Sequence, residues 1–79
     1  MSREQLFLVR AEALTMSGVS MAALDRGAAD AAIRTTIRAL GGVRNCMVAF
    51  AYEFGEHPDI TAERMRVARR AVANFYGGG

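Results

Sequence analysis

The run ITAERMRVARRAVANFY (residues 60–76) carries the clearest periodic signal in the chain. Met65, Ala68, Val72 and Phe75 recur at three, four and three, the spacing of one apolar helix face. Thr61 stands where a helix cap is expected, and Ile60 and Met65 occupy the two positions of a hydrophobic staple. Glu63 in the first turn suits the positive end of a helix dipole. The glycines 77–79 end the segment as a flexible tail, so the reading is one helical domain over 1–76.

Working upstream, Gly55 and Pro58 break the chain, because proline disfavours helical geometry in the residue before it. Ahead of them Val43, Met47, Phe50 and Phe54 form a second stripe, predicting a helix to about Phe54 with Asn45 as its cap and with the stripe facing the core. The two stripes predict that the last two helices pack on each other across the 55–60 turn. A further helix is predicted from about Met21 to Leu40, capped by Ser20 and closed by Gly41, with Ile33, Ile37 and Leu40 on one face. Leu24 falls off that face, and Gly27 lies where a break or kink would reconcile them. The first segment, Arg3 to about Met16, begins with Ser2 and Gln5 at capping-box spacing. Phe7, Val9, Ala11 and Ala13 also alternate with Arg10 and Glu12, so this segment can be read as a strand. Its Ala and Glu content favours a helix. The fold class is therefore all-α, a small bundle of about four helices.

Seventy-nine residues fit one domain, and 52% hydrophobic content supplies one core while arguing against disorder. Cores of this size stabilise by only a few kcal/mol, so small folds often oligomerise. All ten basic residues are arginine and the net charge is +2. GC-rich coding accounts for that choice most simply, and +2 is too little to mark a nucleic-acid binder. A single cysteine, Cys46, excludes an internal disulfide and makes an intracellular, cytoplasmic location the default. No apolar run reaches membrane-span length, and MSREQLFLVRAE lacks the features of a signal peptide.

Catalytic chemistry has little to stand on. One histidine and one cysteine fall short of a structural zinc set, and no metal or cofactor is expected. Cys46 and His57 are close to three helical turns apart on a straight helix, too far for a nucleophilic pair. Cys46 reads as a core residue and His57 as a turn residue. Glu53, Glu56 and Asp59 cluster around His57, and Glu53 could pair with it. This is a solvated helix end, or an acidic patch for a basic partner. Arg64, Arg66, Arg69 and Arg70 crowd the last helix, with Arg66, Arg70 and Asn74 on one face. They read as the solvated side, or as a surface for phosphates or an acidic protein. Arg26, Asp30, Arg34 and Arg38 run at spacing four, which a surface salt-bridge ladder explains. Ala23, Gly27 and Ile33 match the helix-turn-helix spacing. Arg26 and Thr36, however, fall on apolar positions of that pattern, and Asp30 would sit near phosphates.

The stretch Gly41-Gly42-Val43-Arg44, then Glu53-Phe54-Gly55-Glu56-His57-Pro58, then Arg64-Met65-Arg66 resembles a pattern of short proteins in GC-rich bacteria. The whole chain looks like the small orphan proteins of phages and mobile elements. In size and in lacking enzymatic residues it is similar to the anti-CRISPR proteins of type I systems. That resemblance implies binding to a CRISPR surveillance complex, and the class has no shared motif to carry residue roles. The positive charge departs from its acidic DNA mimics and implies occlusion of a protein surface.

The leading expectation is thus a non-enzymatic, protein-binding inhibitor from a mobile element, in its sharpest form an anti-CRISPR acting on a type I complex. Contact residues are expected among Arg64, Arg66, Arg69, Arg70, Arg34 and Arg38, or in the acidic turn. The alternatives are a small DNA-binding regulator and an oligomeric structural or adaptor subunit. A homodimer is compatible with all three, and no membrane partner is expected.

Overall fold

Four α-helices build the molecule, α1 (Arg3–Ser17), α2 (Arg26–Ala39), α3 (Val43–Glu56) and α4 (Pro58–Tyr76), with a 3-10 turn at Met21–Ala23 between the first two. The structure is a computed structural model and describes residues 1–77; the last two residues of the expected glycine tail lie outside the described ones. No strand occurs among the described residues, so the all-α expectation holds and the strand alternative for the first segment falls.

Helix α1 is the centre of the bundle. It starts with the expected capping box, Ser2 Oγ accepting from the Gln5 amide and Gln5 Oε1 accepting from the Ser2 amide. It ends at Gly18, whose φ of +74° suits glycine. Val9, Ala11, Ala13, Leu14 and Thr15 are all buried, and they spread around most of the helix circumference. The other three helices all pack on α1. A helix enclosed on several sides has no single apolar stripe, which is why its sequence shows a false period of two. The buried Thr15 hydroxyl donates to the Ala11 carbonyl at 2.8 Å, so its burial leaves no orphan.

The second helix starts later than Ser20 predicts. After the 3-10 turn, Leu24 and Asp25 are extended, and Asp25 Oδ1 caps α2 by accepting from the Ala28 amide at 2.7 Å. The break therefore falls at Leu24–Asp25, and Gly27 lies inside the first turn of α2. Ala23 ends a three-residue 3-10 turn, so the spacing Ala23–Gly27–Ile33 does not span two α-helices. Ile33 is buried, and Ile37 and Leu40 pack partly buried against the core, as the stripe predicts. Gly41 and Gly42 close α2 in a Schellman turn: the Gly42 amide donates to Ile37 O and the Gly41 amide to Arg38 O.

Helix α3 departs most from expectation. Gly42, not Asn45, is its N-cap; Asn45 Nδ2 instead reaches back to Gly41 O at 3.4 Å. Only Cys46 is buried, flanked by the half-buried Val43, Ala49 and Phe50. Met47 and Phe54, expected to face inward, are exposed. Apolar residues surround α3, and its small Cys46 side turns toward the core.

Helix α4 begins at Pro58, the first helical position, where a missing amide proton and fixed φ cost nothing. His57 is the only residue between α3 and α4. Thr61 is consequently not a cap: it is buried, and its hydroxyl donates to Glu53 O at 3.3 Å across the joint. Ile60 is exposed, so no staple with Met65 forms, and Glu63 lies beyond the first turn. Ala68 and Val72 are buried, with Met65 and Phe75 packed against the core, as the quoted run predicts. Their main partner is α1 rather than α3.

Candidate functional site

The six arginines singled out in the sequence do not form one surface. Arg64 is half-buried, and its Nε and Nη2 donate to the Thr15 carbonyl at 3.3 and 3.2 Å. That carbonyl is in the last turn of α1, where amide partners run out. Arg64 thus ties α4 to the end of α1. Arg66 pairs with Glu63 on the exposed side of α4. Arg69 borders two shallow grooves, one with Phe54, Ala62, Met65 and Arg66, the other with Glu4, Phe7 and Leu8. Arg70 and Arg38 are exposed. Arg34 pairs with Asp30 at 2.8 Å with its side chain 73% exposed.

Nor does the acidic turn converge. Glu53 is half-buried and lines a groove of about 280 Å3 with Thr15, Met16, Ile60 and Arg64. Glu56 and Asp59 are exposed. Glu53 meets His57 through the backbone, its carbonyl accepting the His57 amide at 2.8 Å. Cys46 is buried and free, and burial followed by the Glu12 charge pushes its thiol up.

The most organised polar cluster joins three helices, the middle of α1, the first half of α2 and the end of α4. Tyr76, in the last turn of α4, donates its hydroxyl to Asp30 of α2. The Arg10 guanidinium of α1 lies 3.8 Å from the Tyr76 ring centroid, and that of Arg26 lies 5.3 Å from it. Both are cation–π distances. Burial, and then the bond to Asp30, push the Tyr76 phenol up to about 12. The same bond, helped by Arg34, Arg10 and Arg26, holds the Asp30 carboxyl below its ordinary value. At neutral pH the tyrosine is therefore a proton donor and the aspartate a charged acceptor. A fixed chain runs Arg34–Asp30–Tyr76–Arg10 across α2, α4 and α1.

Beside this chain opens a cleft of about 440 Å3, lined by Arg3, Leu6, Phe7, Arg10, Val72, Tyr76 and Gly77. Arg3 and Arg10 are two turns apart on α1. Among the described residues, neither guanidinium donates a hydrogen bond to a protein acceptor. Two free cationic forks over an apolar floor suit a carboxylate or phosphate attached to an apolar body. Sequence reasoning missed Arg10, Tyr76 and Arg3. Arg10 looked like the polar half of an alternation, and Tyr76 was passed over as the last residue before the glycine tail. The available signal was Tyr76 one turn beyond Val72 on the same helix face.

A second, apolar groove of about 320 Å3 lies between α1 and α3, lined by Met1, Gln5, Leu8, Val9, Glu12 and Met47. Glu12 Oε1 is buried there without a hydrogen-bond partner among the described residues, and burial raises its carboxyl pKa. Among the described residues, no group of three or more His, Cys, Asp or Glu is placed to hold a metal ion. No described helix is long and apolar enough to cross a membrane. No protein-family model, curated protein or solved structure matches the chain.

Proposed function

We propose that the chain is a protein-binding inhibitor of mobile-element type that grips an acidic segment of its partner at the Arg3–Arg10–Tyr76 cleft. One observation carries this reading. Arg10 is stacked on Tyr76 at 3.8 Å, and its N–H groups have no acceptor among the described residues. An arginine already fixed in place loses little side-chain entropy when a carboxylate docks, so most of the charge-assisted bond remains as affinity. Tyr76 is itself fixed by Asp30, and the apolar floor from Leu6, Phe7 and Val72 receives the rest of the segment. The sharpest form of the proposal is an anti-CRISPR whose acidic partner surface belongs to a type I effector complex.

The test is pull-down of purified type I effector complexes with the wild type and with Arg10→Ala. Binding by the wild type, weakened about 10–100-fold by Arg10→Ala, supports the reading. Duplex DNA retarded at low salt while no effector complex binds would replace it with a DNA-binding regulator. Capture of a complex with Arg10→Ala at full strength would remove the cleft from the proposal.

A further inference from the structure

The groove between α1 and α3 carries a charge that nothing among the described residues answers. Met1, Leu8, Val9 and Met47 give it apolar walls, and Gln5 and Glu12 complete the lining. Glu12 is the one charged residue in that lining, and its Oε1 is buried with no donor among the described residues. Gln5 does not serve it: Gln5 Oε1 is held by the Ser2 amide, and two helical turns, about 10 Å along the axis, separate the two residues. The ion pairs of the described residues are Arg34–Asp30 and Arg66–Glu63, and neither involves Glu12. A carboxylate left desolvated and unpaired costs stability. A binding site is one place where that cost is offset, since an incoming donor makes the bond that the fold leaves unmade.

The lining says what the donor belongs to. Hard metal ions take about six or more oxygen ligands, and this groove offers one carboxylate. The match is an organic cation, with an ammonium for Glu12 and an aliphatic stem for the apolar walls. A volume of about 320 Å3 is at the lower end for small-molecule sites, which fits a short stem. Leu8 is 44% exposed and Met47 48% exposed, and the unbranched methionine side chain shifts readily. The walls can therefore part around a stem and admit its ammonium to the carboxylate. We propose that this groove binds a small aliphatic amine, its ammonium on the Glu12 carboxylate and its stem between α1 and α3 against Leu8, Val9 and Met47. Gln5, Leu8, Val9 and Glu12 lie on the opposite side of α1 from Arg3, Leu6, Phe7 and Arg10, so the site stands or falls separately from the cleft.

NMR titration of the full chain at neutral pH tests it, with n-hexylammonium as the probe and hexanol and methylammonium as comparisons. Shifts centred on Gln5, Leu8, Glu12 and Met47 are expected, with a Kd of about 1 mM for a ligand this small. Methylammonium, which lacks the stem, and hexanol, which lacks the charge, should each bind at least about tenfold more weakly. Glu12→Gln keeps the shape of the side chain and removes its charge. It should weaken hexylammonium about tenfold or more and leave hexanol little changed, with circular dichroism as the folding control. Absence of shifts at about 10 mM hexylammonium overturns the proposal. So do shifts centred elsewhere, hexanol binding as tightly as hexylammonium, or full hexylammonium affinity in Glu12→Gln.

Discussion

Leu14→Ala is the perturbation that tests the architecture most directly. Leu14 is fully buried and belongs to a cluster otherwise rich in small residues, with Ala11, Ala13, Ala29, Ala68 and Ala71 beside Ile33, Cys46 and Val72. Truncation removes three carbons, worth roughly 2.4 kcal/mol of transfer free energy at about 0.8 kcal/mol each. Alanine neighbours have no rotamers with which to fill the void, so a cavity penalty adds to that, giving about 3–4 kcal/mol. The whole domain, at the usual density of stability per residue, holds about 4–12 kcal/mol. The loss is a large fraction of that, and a domain of this size shifts by about 4–8 °C per kcal/mol, so Tm should fall by about 12–30 °C. Ile60→Ala is the matched control: Ile60 is 66% exposed, and its removal should change stability by less than about 0.5 kcal/mol. Thermal melts followed by circular dichroism, at one fixed protein concentration, read both. Equal losses for the two variants, or a shift below about 3 °C for Leu14→Ala, would refute the placement of α1 at the centre.

Gly41→Ala should lower stability by about 1–2 kcal/mol in denaturant titration, because φ is +92° there; the 2.8 Å approach of its Cβ to Asn45 Nδ2 is relieved by moving that side chain. Arg64→Ala should lower Tm by removing both donors to the Thr15 carbonyl, a loss of about 1–2 kcal/mol, whereas Arg70→Ala on the exposed side should leave Tm unchanged. Burial raises the Glu12 carboxyl above its ordinary 4.5, so the folded state binds more protons there than the unfolded chain. Stability contributed by that group is present at low pH and is lost as pH rises through the raised value. Glu12→Gln should accordingly raise Tm at pH 7 and flatten the pH dependence just above 4.5. Tyr76→Phe should leave helicity intact while releasing Asp30, so that the Asp30 carboxyl, followed by NMR titration, moves up toward its ordinary 3.8.

The sequence predicts helices wherever one face is buried and the opposite face is wet. The stripes of α2 and α4 meet that condition, and Ile33, Ala68 and Val72 lie where their spacing puts them. It misleads where a helix is enclosed or apolar all round. The crowded circumference of α1 imitates a strand; in α3 Cys46 is buried as its core reading predicts, while Met47 and Phe54, read as facing inward, are exposed. Boundaries were legible only where a cap is local. Ser2 with Gln5 gave α1 its start, whereas Pro58, read as a stop, proved to be a beginning. The Arg10–Tyr76–Asp30 cluster was invisible because its members come from three helices, and Tyr76 lies 46 residues from Asp30. Arg64 looked free for the same reason, its acceptor being 49 residues away.

The place of α1 has a consequence for how the chain comes together during synthesis. The hub is made before its principal partner, α4, and the tie between Arg64 and Thr15 closes a loop of 49 residues. A nascent chain that stops at α3 therefore lacks the helix that brings Ala68, Ala71 and Val72 to the core around Leu14. Folding must wait until α4 has left the ribosome, and a chain caught before that point is the form most open to proteases and chaperones.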